Sequence, residues 1–262
     1  MDQLQSHNLR EIEGLNQRGG RTLSFVDLIE AGTMTAELVA YCWTAIAHGA
    51  SFLTAARPGG AGKSTVLANL LALLPPGEEI TTFCGAGART PTQSSSGIEA
   101  GGVPAPALQR RRCDLAHEIG SGHWYGYIWG TDVARFLSLA DEQRVASCLH
   151  ADTLEELYGI LRGAPLNVPE RLVWAVDLIL FVHVLPGRER RVAAVYEATG
   201  EGHRLAFALE GGQIVRQGEV VLPGRLGAGA SEMAQRLDAV QQMLETGERR
   251  FDVLRESVLA AY

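Results

Sequence analysis

Residues 51–74 read SFLTAARPGGAGKSTVLANLLALL: a short apolar run, a glycine-rich turn, then leucines at helical spacing. A strand that feeds a helix through Gly60-Ala61-Gly62-Lys63-Ser64-Thr65 has the order of a phosphate-binding loop. Glycines let the backbone wrap a polyphosphate, so that successive N–H groups and the helix N-terminus face the anion. In such a loop Lys63 reaches the β and γ phosphates, and the Ser64 hydroxyl ligates the Mg²⁺ that bridges the same oxygens. The strict pattern G-x-x-x-x-G-K-[ST] has glycine where this chain has Arg57, followed at once by Pro58, Gly59 and Gly60. A non-glycine fits there if its φ stays negative, and Arg57 then either hinders the loop or adds charge beside the phosphates. The expected cradle is Arg57, Pro58, Gly59, Gly60, Ala61, Gly62, Lys63, Ser64 and Thr65. The competing reading, an ordinary glycine-rich turn, is disfavoured by the strand-then-helix context.

Upstream, LSFVDLIEAG (23–32) reads as a short helix closed by glycine, and Thr35 as the N-cap of the next, with Glu37 in its first turn. Leu38, Val39, Cys42, Trp43 and Ile46 recur there at helical spacing and form a core face. Residues 1–20 are polar and end in Gly19-Gly20, which predicts a frayed leader. Downstream, Pro75-Pro76-Gly77 stops the loop helix and residues 80–84 read as a second strand of an α/β unit. Residues 85–109, rich in Gly, Ser, Pro and Ala without periodicity, predict a long mobile loop.

Arg110-Arg111-Arg112 closes that loop as either a solvated basic cluster or an arginine finger offered to a neighbouring subunit. Strands are expected at 113–119, 125–129 and 144–149, with a helix over 132–140. The last of these strands ends at His150-Ala151-Asp152-Thr153, with a capping box between Thr153 and Glu156. Ligands in open α/β sheets gather at the carboxyl ends of strands, which places His150 and Asp152 near the phosphates. The alternative for His150 is a histidine merely hydrogen-bonded in place. A buried strand at 178–184 leads into runs at 191–196, 205–209 and 213–215 separated by Pro-Gly, Thr-Gly and Gly-Gly, which read as antiparallel hairpins. Helices at 231–244 and 251–262 close the chain. The domain reading is thus a leader (1–20), an α/β phosphate-loop domain (21–228) and a helical tail (229–262).

With 262 residues, 46% of them hydrophobic, the chain can bury a substantial core. A net charge of −7 argues against an extended nucleic-acid footprint, so no direct nucleic-acid binding is expected. Cys42, Cys84, Cys113 and Cys148 lack the spacing of a zinc site or of a disulfide scaffold, and reduced thiols in the cytoplasm are the simplest reading. The polar N-terminus has no apolar signal core.

Separated stretches, from RTLSFVDLIEAG through Lys63-Ser64-Thr65, the run CLHADT (148–153), LNVPE (166–170), DLILFVHVL, RRVAAVYEATG and the closing GERRFDVLRESVLAAY, point the same way. In that order they resemble the ATPase domain of the type II and type IV secretion, type IV pilus and archaeal flagellar motor ATPases. The resemblance covers roughly residues 23–262. It implies a RecA-like P-loop α/β domain with antiparallel hairpins and a helical tail, binding ATP and Mg²⁺. Homo-oligomeric assembly as a hexameric ring follows for the family, with secretion or pilus components at the inner membrane as partners and a cytoplasmic location. By the same resemblance His150 matches the histidine that senses the γ-phosphate.

Departures accompany the match. The family's acidic pair falls here on Cys84-Gly85, and its Walker B Gly-Glu falls on the end of YGYIWG, where Thr131 follows and Asp132 comes one residue late. A water-orienting carboxylate is needed for hydrolysis, and Glu118 and Asp132 are the candidates. The catalytic set is therefore Lys63, Glu118, Asp132 and His150. Two functions are compatible with these residues: an ATPase driving a secretion or pilus-type machine, and a nucleotide-binding regulatory or assembly subunit with little hydrolysis. A DNA-processing P-loop ATPase is a third, disfavoured by the acidic balance.

Overall fold

The apolar run ahead of the glycine turn forms β1 (Phe52–Ala55), which is buried along its whole length and pairs in parallel on both sides, with β6 (Arg144–Leu149) and β7 (Leu178–Val184). The other strands are β2 (Glu79–Thr82), β3 (Arg112–Leu115), the short β4 (Glu118–Ile119) and β5 (Tyr127–Ile128), and β8 (Arg190–Ala198), β9 (His203–Glu210) and β10 (Gln213–Arg216). In this computed structural model, which describes residues 2–16, 19–85 and 111–262, they join one mixed sheet in the order β10-β9-β8-β7-β1-β6-β3-β2, with β4 beside β6 and β5 beside β4. Strands from β2 to β7 run parallel, and β8 to β10 add the expected antiparallel hairpins.

Because side chains alternate along a strand, the sheet feeds two cores. Phe52, Cys148 and Leu180 face one; Leu53, Ala55, Leu149, Ile179 and Phe181 face the other. The first is covered by α1 (Gln3–Gly14), α2 (Phe25–Glu30), α3 (Ala36–Ala47), α4 (Lys63–Leu71), α9 (Ala230–Thr246) and α10 (Phe251–Ala260), with α8 (Leu222–Arg225) at its margin. The second is covered by α5 (Thr131–Ser138), α6 (Leu154–Arg162) and α7 (Glu170–Trp174). Burial on both faces explains why β1 and most of β7 read as near-continuous apolar runs. The chain is an α/β protein with a large mixed sheet, and among the described residues no helix is long and apolar enough to cross a membrane.

The leader departs from expectation. Residues 3–14 form α1, capped by Asp2, and its buried residues are Gln5, Asn8, Leu9 and Ile12. Asn8 gives its amide nitrogen to the Glu78 carbonyl (2.8 Å) and takes the Ile80 N–H (2.9 Å), so a helix side chain completes the hydrogen bonding of an edge strand. Those polar contacts, absent from any apolar periodicity, are why the segment reads as a frayed tail. The expected long loop lies, apart from Gly85, outside the described residues.

The helical tail packs on its own chain. Arg255, 2% exposed, gives Nη1 to the carbonyls of Ala72, at 2.8 Å, and Leu74, sealing the end of α4. Burial leaves its guanidinium easier to deprotonate than usual, at about 10.

After β1 the chain runs out to the edge at β2, returns through β3 to β6, and then passes over β1 to reach β7. Connections therefore diverge at β1, and the crevice outside its carboxyl end is where such a sheet holds a ligand.

Candidate phosphate site

Gly60 and Gly62 adopt φ of +82° and +102°, the left-handed region that a side chain rarely enters, so the turn after β1 depends on glycine at both positions. Gly62 is the N-cap of α4 and Lys63 its first residue. The Thr54 hydroxyl donates to the Lys63 carbonyl at 3.0 Å, tying the end of β1 to the start of the helix. The helix thus presents its free N–H groups at the loop.

Arg57 keeps a negative φ and does not plug the loop. Its N–H donates to Asp152 Oδ1 at 2.7 Å, and its guanidinium turns outward to Glu156 and to Asp152, 3.6 Å away. The pairing links the loop to the N-terminus of α6, where Thr153 accepts the Glu156 N–H at 3.2 Å. Glu156 returns its carboxylate to the Asp152 N–H, one residue earlier than a capping box requires. Asp152 is therefore committed to Arg57.

Three predicted residues meet at the crevice. Lys63 Nζ lies 2.8 Å from Glu118 Oε2 and 3.1 Å from His150 Nε2. His150 Nδ1 lies 2.7 Å from the Arg57 carbonyl, and Nε2 is 3.4 Å from Glu118 Oε1. A carbonyl can only accept, so the proton is assigned to Nδ1, leaving Nε2 to accept from the lysine. Glu118 arrives on β4, whose residue Ile119 pairs with Leu149, the last residue of β6 and the one before His150. Both side chains of the Lys63–Glu118 pair are 9% exposed.

Ser64 sits in the first turn of α4 with its Oγ 3.9 Å from Cys148 Sγ. Burial pushes the Cys148 thiol up to about 12, so it remains protonated and donates to the His117 carbonyl at 3.1 Å. Among the described residues, no three His, Cys, Asp or Glu could hold a metal ion by themselves. This donor set suits a Mg²⁺ held by one hydroxyl and by phosphate oxygens.

Asp132 is held by a different partner. Its carboxylate accepts from Arg135 Nη1 at 2.8 Å, one turn along α5, and comes against Gly85. Of the basic cluster, Arg112 pairs with Asp114 at 3.1 Å at the start of β3, the sheet end opposite the loop, and Arg110 lies outside the described residues.

Arg190, which the sequence reading did not single out, also reaches the loop. Its Nε and Nη2 both donate to the Gly60 carbonyl, each at 3.2 Å. A signal for it existed: β7 runs parallel to β1, so the charged turn after β7 had to emerge beside the loop.

No protein-family model matches the chain, and no curated protein is detectably similar to it.

Proposed function

We propose that this protein binds ATP with Mg²⁺ in the cradle from Arg57 to Thr65 and hydrolyses it, as an ATPase of RecA-like type that drives or regulates a secretion or pilus-type machine. The observation that carries this reading is the meeting of Lys63, Glu118 and His150 at the mouth of a left-handed glycine turn and a helix N-terminus. The switch of connections at β1 supports the RecA-like assignment, and the sequence resemblance supports the machine. Assembly as a ring on the cytoplasmic side of a membrane rests on that resemblance alone.

The roles follow from charge. An incoming triphosphate competes for the Lys63 ammonium, which exchanges a carboxylate for phosphate oxygens. Glu118, released, is the carboxylate free to orient a water and accept its proton. His150 Nε2 loses its lysine partner at the same moment and is placed to report phosphate at the crevice. Ser64 is the residue that would hold Mg²⁺, whose charge offsets that of the phosphates.

A regulatory subunit with slow turnover remains the second reading, favoured by the single Lys63–Glu118 pair: a lysine held by a buried carboxylate must be freed before it can serve. Titration with ATP and Mg²⁺ tests the common part. Lys63→Ala is expected to weaken ATP binding at least about tenfold, the loss of one charge-assisted contact; equal affinity in the variant and the original would overturn the site.

A further inference from the structure

Among the described residues, the cations that contact the loop or lie beside it are matched by carboxylates, Arg190 excepted. Lys63 has Glu118 at 2.8 Å, and Arg57 has Asp152 and Glu156. Arg191, next along β8, has Glu189 at 2.8 Å. Arg190 has no carboxylate within ion-pair distance among the described residues, and both its hydrogen bonds to the loop end on one neutral oxygen, the Gly60 carbonyl. Its stem crosses Gly62, where a Cβ would come within 3.3 Å of its Cδ. A fork of guanidinium N–H groups on a carbonyl is a weaker arrangement than the same fork on a phosphate, where charge and bidentate geometry act together.

Position along the loop says which phosphate. The backbone N–H groups of such a loop cradle the α and β phosphates, and the loop lysine reaches the β and γ phosphates. Arg190 passes Gly62, the residue before Lys63, so its guanidinium lies beside the residue that takes the β and γ phosphates. We propose that Arg190 is a terminal-phosphate contact that lets this site distinguish nucleoside triphosphate from diphosphate. Resting on the ATP-binding reading above, the assignment adds a residue from β8 to the site. The same strand carries Arg191, which donates to the Ala31 carbonyl at 2.8 Å, and Val192, which donates to the Thr33 carbonyl at 2.9 Å. β8 is thereby tied both to the loop and to the turn between α2 and α3.

The test is calorimetric titration of the full chain with ATP and with ADP, each with Mg²⁺, for the original protein and for Arg190→Ala, Arg190→Gln and Arg190→Lys. Glutamine keeps an N–H donor for Gly60 without the charge; lysine keeps the charge without the fork. Alanine and glutamine are expected to weaken ATP binding about 10- to 100-fold, the span of a charged hydrogen bond, and to leave ADP binding within about twofold. Lysine is expected to fall between. Equal losses for ATP and ADP would make Arg190 a brace of the loop, and unchanged binding of both would remove it from the site; either overturns the proposal. Failure of the original protein to bind either nucleotide would overturn the ATP-binding reading itself, a separate outcome. Unchanged thermal midpoints confirm that the variants are folded.

Discussion

At the amino ends of β2 and β6 the sheet buries Arg144 against Glu78, and at the carboxyl ends it buries Lys63 against Glu118. The first pair is saturated. Nε and Nη2 of Arg144 take the two Glu78 oxygens at 2.7 and 3.0 Å, Nη2 also reaches the Ile46 carbonyl at 2.8 Å, and Nη1 the Ala50 carbonyl. Both residues are 1% exposed, so neither partner has anywhere else to go. The second pair shares one short contact, beside a histidine that competes for the same ammonium, at the mouth of a crevice. An arrangement without slack holds a fold together, and one with an exchangeable partner can do work.

The largest effect is expected at the saturated pair. Arg144→Ala leaves Glu78 charged and buried, and should cost about 3–5 kcal/mol by urea denaturation, while Arg144→Met with Glu78→Leu should recover most of it. Glu118→Gln keeps an acceptor for Lys63 and should cost only on the order of 1 kcal/mol, the worth of a single hydrogen bond. Equal losses in the two single variants would erase the distinction.

Acid gives a smaller effect. His203 is another saturated group: Nε2 donates to the Val176 carbonyl and Nδ1 accepts from the Tyr158 hydroxyl, each at 2.7 Å. Burial holds its pKa below the ordinary 6.5. The folded chain then binds fewer protons than the unfolded chain below that value, so stability falls as pH drops from about 6.5 toward the folded pKa. His203→Gln should flatten this slope in denaturation midpoints taken between pH 7 and 5; an unchanged slope would show that the histidine is not held neutral.

Much of this was legible in the sequence. Runs such as 178–184 and 144–149 announce strands buried on both faces, and the glycines at 60 and 62 mark a turn that only they can make. Less legible were features made by polar groups across long separations. Asn8 completes the edge of β2 some seventy positions away, and no periodicity carries that information. Glu118 and Asp132 read alike as candidate carboxylates, because β4 is two residues long and its neighbour β6 lies far along the chain. Their separation, one against Lys63 and the other on Arg135, is a property of the sheet order. The sequence leaves open whether Arg57 hinders the loop or adds charge beside the phosphates, because its carboxylate partners, Asp152 and Glu156, enter the site only when β6 lies next to β1.

The proposed ATPase turns on Glu118 becoming a working carboxylate once phosphate takes Lys63. The measurement that meets it most directly is steady-state ATP hydrolysis with Mg²⁺, alongside ATP titration, for the original chain and Glu118→Gln. The variant is expected still to bind ATP while its turnover falls about 10²- to 10⁴-fold, the usual contribution of a positioned acid or base. Turnover in the variant equal to that of the original, with ATP bound in both, would contradict it.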